Sequence, residues 1–227
     1  MKIVSFEQLG SRLRSKLFFA FGCIAVTALS FWCTLVLLEH LRPKSWREVV
    51  SALGPVKAQT RLEELPPIPD KRLSWVGIAG INAQVVRTIP NVVSGLPVLG
   101  LISVQDGVHT VAARVTGLTK NTRYRITAWV RPLAGANFGI GARDQADMAD
   151  GPNNSRAVFD LATQKVLITA GNGKPGIEEV GEWLTVWLDL LTTDGQYVVN
   201  FYVCKNDATD YAADSRLGVL LGGISAD

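Results

Sequence analysis

The chain has 227 residues, of which 48% are hydrophobic, and a formal net charge of +3 at pH 7. This near-neutral balance, without basic residues interleaved with aromatic ones, argues against a nucleic-acid partner. Cys23 and Cys33 fall in one apolar run, so the third cysteine, Cys204, has no partner for a disulfide within its own domain. We expect Cys204 to be a small buried hydrophobe.

Residues 17–38 form an uncharged apolar run of about 22 residues, which is about 33 Å as a helix and long enough to cross a bilayer. We predict a single transmembrane helix here, preceded by a cytoplasmic segment over 1–16. The alternative is a signal peptide cleaved after the small residues 28–30. Cleavage there would leave an exposed apolar N-terminus at 31–38, so an uncleaved anchor is the better interpretation. The lipid bilayer is therefore the first predicted partner.

Basic residues flank the apolar run on both sides, and their count favours an inside N-terminus only slightly. Long domains cross the membrane largely regardless of charge. We therefore predict an inside N-terminus and a periplasmic C-terminal domain, in the cytoplasmic or intracytoplasmic (inner) membrane of a bacterium. The N-terminal segment is interpreted either as a short amphipathic helix on the membrane surface or as a simple basic flank.

Residues 39–70 are predicted to be a juxtamembrane segment and a linker. Trp46 is a candidate interfacial anchor, and Gly54 and Pro55 would end a short helix. Residues 65–70 contain three prolines, which is typical of an extended, semi-rigid spacer. The spacer would hold the following domain away from the membrane.

From Lys71 to Asp227 the pattern becomes short strands separated by Gly, Asn, Asp and Pro, which is typical of an all-β fold. Over 123–131 and 183–190, apolar residues alternate with polar or aromatic ones, so each strand has one core face. Half-buried strands of this kind predict a sheet packed on one side, and hence a β-sandwich. Further strands are predicted at 109–116, 136–142, 156–161, 165–170, 196–204 and 217–224.

Several segments together resemble the carbohydrate-binding-module-like (galactose-binding-like) jelly rolls of bacterial surface and phage tail proteins. The segments that carry the resemblance are 109–119, 122–131, 158–163, 176–183 and 217–223. Gln164 stands where the pattern has a turn glycine, and Leu184 and Thr185 replace an aromatic–basic pair. The resemblance implies a jelly-roll β-sandwich over residues 71–227.

The strongest candidate binding residues are three tryptophans that the alternation places away from the apolar face. Exposed indoles stack on sugar rings or act as anchors in protein interfaces. Packing against a covering loop or strand is the competing interpretation, above all for Trp183. Two arginines share this face and are candidates for binding an acidic ligand or a carboxylate of a partner. The candidate set is Trp129, Trp183, Trp187, Arg125 and Arg131.

The loop from Asp144 to Asp150 concentrates oxygen ligands of the kind that calcium prefers, at Asp144, Asp147 and Asp150. The family that the chain resembles often holds a structural calcium, but the spacing matches no EF-hand, and a solvated acidic loop is the simpler interpretation. No other cofactor is predicted. With only His40 and His109 in the chain and no nucleophile motif, we expect no enzymatic activity.

Two functions fit these features. The first is a non-catalytic accessory or scaffold subunit, whose helix packs in an integral membrane protein complex and whose sandwich docks on that complex. Small residues in the apolar run permit close helix contact and favour this function. The alternative is a membrane-tethered carbohydrate-binding module that recognises a glycan of the envelope or outside the cell.

Overall fold

The structure is a computed structural model that describes residues 61–86, 97–144, 154–192 and 196–227. A short 3-10 helix, Leu62–Glu64, precedes the strands of this part of the chain. The first seven strands are β1 (Leu73–Ala79), β2 (Ile81–Val86), β3 (Val98–Ser103), β4 (Gly107–Val108), β5 (Thr110–Val115), β6 (Arg123–Ala134) and β7 (Asn137–Asp144). The others are β8 (Ser155–Asp160), β9 (Lys165–Ala170), β10 (Lys174–Val180), β11 (Trp183–Leu191), β12 (Tyr197–Cys204), β13 (Asp210–Tyr211) and β14 (Gly218–Ala226).

The strands form two six-stranded antiparallel sheets, with β4 and β13 pairing separately. The first sheet has the order β1-β5-β12-β7-β8-β9, and the second has the order β10-β11-β6-β14-β3-β2. The prediction of an all-β sandwich is confirmed by this arrangement. The predicted strands are also found, each within a few residues of its predicted ends.

The core lies between the two sheets, and alternation within each strand decides which side chains enter it. In β11, Leu184, Val186, Leu188 and Leu190 are buried in this core, as the sequence predicted. In β12, the inner residues are Tyr197, Val199, Phe201 and Val203. The outer faces of both sheets therefore carry the intervening residues, and these faces hold the candidate functional groups.

The proline-containing segment differs from the predicted spacer. Leu65 is buried in the core, and the Trp75 indole N–H donates a 2.9 Å hydrogen bond to the Pro66 carbonyl. The Asp70 carboxylate accepts a hydrogen bond from the Ala226 backbone N–H at 3.0 Å. Residues 65–70 are thus part of the sandwich, so the predicted boundary at Lys71 is too late. The prolines keep the segment extended, but the burial of Leu65 and the two hydrogen bonds hold it against the sandwich.

Within the described residues, no helix is long and apolar enough to cross a membrane. The predicted span at 17–38, the segment 1–16 and residues 39–60 lie outside those residues. The membrane anchor therefore stays a sequence-based prediction.

Candidate functional site

The tryptophan face is the outer face of the second sheet where β11 and β6 carry Trp129, Trp183 and Trp187. Trp183 is 2% exposed, and its indole lies against Gly222 of β14, where a Cβ would come within 2.9 Å of the ring. It packs with Ile102 and Leu220 in a second apolar cluster outside the main core. Trp183 therefore presents almost no surface to a ligand, as the packing interpretation of its position expected.

The other two tryptophans of this face are partly exposed. Trp129 packs against the cluster that contains Trp183. The Trp187 ring lies across Gly176 of β10, so closely that any Cβ at this position would overlap the indole. The Arg125 guanidinium carbon is 4.8 Å from the centre of the Trp187 ring, on the distance scale of a cation–π contact. Part of the Trp187 surface is thus already covered by a neighbour in the same sheet.

Both candidate arginines, Arg125 and Arg131, have carboxylate partners. The Arg125 Nε and Nη2 atoms donate to the two Asp189 oxygens at 2.7 and 3.1 Å, and this hydrogen-bonded pair raises the pKa of Arg125. Arg131 Nη1 donates to a Glu182 oxygen at 2.8 Å. The predicted use of these arginines for an acidic ligand would therefore require an ion pair to be broken first.

The Tyr202 face is the outer face of the first sheet where β7, β8 and β12 carry Arg143, Arg156, Asn200 and Tyr202. The Tyr202 ring lies along β7 over two glycines, Gly139 and Gly141. A Cβ at Gly141 would come within 3.0 Å of the ring and 3.3 Å of its hydroxyl oxygen. The glycines thus let the phenol lie against the strand, with its hydroxyl above Gly141.

Two arginines are neighbours of Gly141. Arg156 is its antiparallel partner on β8, and Arg143 is two residues further along β7 on the same face. The Arg156 guanidinium carbon is 5.8 Å from the centre of the Tyr202 ring. Burial raises the pKa of Tyr202, and the positive charges of Arg143 and Arg156 partly offset this rise. The hydroxyl therefore stays protonated at neutral pH and lies within the field of both cations.

The hydrogen bonding of Arg156 is incomplete. Its Nη2 donates to the Asp207 carbonyl at 3.0 Å, whereas its Nε is buried without an acceptor among the residues that the structure describes. In that same part of the chain, no carboxylate lies within ion-pair distance of Arg143 or Arg156. Arg143 and Arg156 thus differ from Arg125 and Arg131, which are both paired.

Sequence reasoning missed the residues of the Tyr202 face. The alternation over 197–204 would have placed Asn200 and Tyr202 on the outer face. No local pattern indicates that Arg143 and Arg156 are on neighbouring strands, because a loop separates them in the sequence and only the pairing of β7 with β8 makes their strands adjacent.

The predicted calcium loop lies mostly outside the described residues. Asp147 and Asp150 fall in the range 145–153, and only the backbone of Asp144 is described, at the end of β7. Elsewhere, within the described ranges, no cluster of metal-ligating side chains is found. Calcium therefore stays a prediction.

No protein-family model matches the chain, and no curated protein matches it. Among solved structures, TmCBM61 in complex with β-1,4-galactotriose is similar at 10% identity and a TM-score of 0.38, covering 69% of this chain and 86% of that chain. The CBM22-1–GH10 modules of a Clostridium thermocellum endo-1,4-β-D-xylanase, complexed with xylohexaose, give the same identity and TM-score over 69% of this chain and 26% of that one. The enzymatically active domain of tailspike protein 4 of bacteriophage CBA120 is 14% identical, with a TM-score of 0.36, over 75% of this chain and 21% of that one. With TM-scores below 0.5, these likenesses carry no argument about ligand or activity.

Proposed function

We propose that the chain is a non-catalytic saccharide-binding module, tethered to a bacterial inner membrane by the predicted helix at 17–38, and that the saccharide binds on the Tyr202 face. The observation that carries the proposal is the buried Arg156 Nε, which has no acceptor among the described residues. A buried donor without a partner costs about 1–3 kcal/mol, and more when it is charged. An oxygen-rich ligand would supply the missing acceptor once a small movement of the Arg156 side chain exposes this nitrogen.

The neighbouring groups are of the type that binds hydroxyl-rich ligands. Asn200 is partly exposed and pairs across the sheet with Gly141, opposite to Arg156. An amide both donates and accepts hydrogen bonds, and a guanidinium donates several in a fixed plane. A few converging polar groups of this kind fix the orientation of a small ligand.

The proposal contains no catalytic step. His109, the one histidine among the described residues, is fully buried and stacks on Tyr211 with 3.8 Å between ring centres. A glycoside hydrolase requires two carboxyl groups that face the bond to be cleaved. Glu182 instead forms an ion pair with Arg131, and the Glu179 carboxylate accepts a hydrogen bond from the Gln164 side chain.

The test is a glycan array probed with the full chain in zwitterionic detergent micelles. We expect at least one saccharide class to bind, with affinity lowered about tenfold in Asn200→Ala, because one amide that both donates and accepts is lost. Trp187→Ala on the opposite sheet is the matched control and should bind as the original chain does. Equal loss in both variants, or no binding by a folded chain, would overturn the proposal.

A second candidate is protein docking at the tryptophan face, as part of an accessory subunit of a membrane complex. The observation in its favour is a pair of partly exposed indoles, Trp129 and Trp187, bordered by arginine–carboxylate pairs. Aromatic anchors with a polar rim are typical of protein interfaces. Gentle detergent extraction of the tagged chain, followed by a native gel, tests it. Co-migration with one large complex, lost in Trp187→Ala but kept in Asn200→Ala, would establish this function instead.

A further inference from the structure

Two arginine positions and the Tyr202 hydroxyl neighbour one point of β7 on the Tyr202 face. Cross-strand neighbours have Cβ atoms about 5 Å apart, and residues two apart in a strand lie about 7 Å apart on the same face. Arg156 and Arg143 are related to Gly141 in these two ways. The Tyr202 hydroxyl lies above the same glycine. A small group bound over Gly141 would therefore be within reach of two guanidiniums and a phenol.

We propose that the saccharide carries an anionic group, a carboxylate or a sulfate, and that Arg143, Arg156 and Tyr202 form the subsite that binds this group over Gly141. The inference rests on the proposed function, which by itself requires only a hydroxyl-rich ligand. It adds the chemical class of the ligand and the position of its charge.

The charges of the face support an anion over a neutral sugar. In the part of the chain that the structure describes, two guanidiniums without carboxylate partners stand beside one phenol. Planar guanidiniums bind carboxylates and sulfates in a bidentate manner, with bonds about twice as strong as neutral ones. An anionic oxygen would also satisfy the buried Arg156 Nε, which a hydroxyl oxygen does more weakly.

The tryptophan face supplies an internal comparison. Two of its arginines, Arg125 and Arg131, have carboxylates at 2.7 and 2.8 Å, from Asp189 of β11 and from Glu182 in the turn before β11. The chain thus pairs Arg125 and Arg131 with its own carboxylates, and among the described residues it leaves Arg143 and Arg156 without such partners. A surface with unpaired cations attracts anions from solution, and this attraction weakens as salt is added.

The first experiment compares polygalacturonate with its carboxyl-reduced form, using the full chain in zwitterionic detergent and isothermal titration calorimetry. We expect the acidic polymer to bind about 10- to 100-fold more tightly than the reduced one, since charged hydrogen bonds are replaced by neutral ones. Arg143→Gln should remove most of this preference. Arg123→Gln, which removes the same charge from an exposed position at the start of β6, is the matched control and should keep it.

The second experiment uses inorganic sulfate and needs no knowledge of the glycan. The Arg156 Nε–H resonance should shift on titration with sulfate in the original chain and in Arg123→Gln, but not in Arg143→Gln. Tyr202→Phe should weaken the response by removing one donor while the ring stays on its glycines.

The outcomes separate the two proposals. Equal binding of acidic and reduced polymers, with no sulfate response, overturns the anionic subsite and leaves the saccharide function standing. A sulfate response at Arg156 without binding of any saccharide overturns the saccharide function and keeps the anion site. A response that Arg123→Gln reduces as much as Arg143→Gln does would show general charge attraction, and would also overturn the subsite.

Discussion

The Asp70 carboxylate joins the N-terminal segment of the domain to its last strand, and its removal tests how that segment is bound. Asp70 accepts hydrogen bonds from the backbone N–H groups of Arg72 and Ala226, both at 3.0 Å, and from the Arg72 guanidinium at 3.1 Å. The Asp70 side chain is 14% exposed. Asp70→Ala would leave two partly buried backbone donors without their acceptor.

The expected loss of stability follows from these bonds. The Arg72 side chain is 37% exposed, so its ion pair contributes only about 0–1 kcal/mol. A hydrogen bond to a charged group contributes about 1.5–3 kcal/mol, and the backbone bond from Ala226 is of this kind. We expect Asp70→Ala to lower the free energy of unfolding by about 2 kcal/mol, or the melting temperature by about 4–8 °C. Asp70→Asn, which keeps the shape and one acceptor oxygen, should lose about half as much.

The dependence on pH gives the sharper test. Burial opposes the charged form of Asp70, but the hydrogen bonds from Arg72 and Ala226 outweigh it and hold its pKa below the usual value. Because the pKa of Asp70 is lower in the folded chain than in the unfolded one, the charged carboxylate stabilises the fold fully at pH values above its unfolded-state pKa of about 3.9. This stabilisation is lost as the pH falls through the pKa of the folded state. The difference between the original chain and Asp70→Asn should therefore be largest near pH 7 and shrink below pH 4.

The assay is urea unfolding of the full chain in detergent, followed by tryptophan fluorescence at several pH values. Asp210→Asn, an exposed carboxylate on β13, is the matched control and should leave the midpoint unchanged. Two results would refute the reasoning: a midpoint for Asp70→Ala equal to that of Asp210→Asn, or a difference between Asp70→Asn and the original chain that persists undiminished at the lowest pH.

Three further predictions concern single residues. Gln164 has a φ of 55°, a left-handed backbone that costs free energy in residues other than glycine. In urea unfolding, Gln164→Gly should therefore be about 1 kcal/mol more stable than Gln164→Ala. Equal stability of the two variants would show that this backbone conformation carries no cost. Both His109 nitrogens are buried without partners among the described residues, so His109→Phe should keep or raise the melting temperature. His109→Ala should lower the free energy of unfolding by about 2 kcal/mol, because the ring stacked on Tyr211 is lost. Similar losses of stability in both variants would contradict this. Burial raises the pKa of the Cys204 thiol to about 12. Iodoacetamide at pH 8 should therefore label Cys204 only after unfolding, as measured by peptide mass spectrometry. Rapid labelling of the folded chain would refute the burial of Cys204.

The position of Gln164 illustrates how far sequence reasoning reached. The resemblance marked Gln164 as a residue standing in for a turn glycine, and the structure places it in the left-handed region that favours glycine. The core faces of β6 and β11 were predicted in the same way, because alternation with a period of two is a local property. The strands β1, β2, β3, β4, β10 and β13 were not predicted. The burial of Cys204 is likewise confirmed.

The contacts between distant strands were not predictable. Trp183 was placed on an outer face by its own strand, but Gly222 of β14 makes room for its indole, and neighbouring apolar residues bury it. The proline segment was predicted to be a spacer because its composition is extended, whereas Trp75 and Ala226 bind it from other parts of the chain. The composition of a segment indicates its stiffness, but it does not indicate which distant residues will bind the segment.

The sequence by itself determined the all-β class, the positions of eight of the fourteen described strands, and the core faces over 123–131 and 183–190, since side-chain direction in a strand follows from residue order alone. Tertiary structure alone decided which arginines of the outer faces have carboxylate partners. Arg125 of β6 pairs with Asp189 of β11, and Arg131 pairs with Glu182 in the turn before β11. Arg143 and Arg156 instead occupy strand positions that neighbour Gly141, which lies against the Tyr202 ring. Whether a charge is neutralised depends on which strands pair and in what register, and that is a property of the assembled sheets.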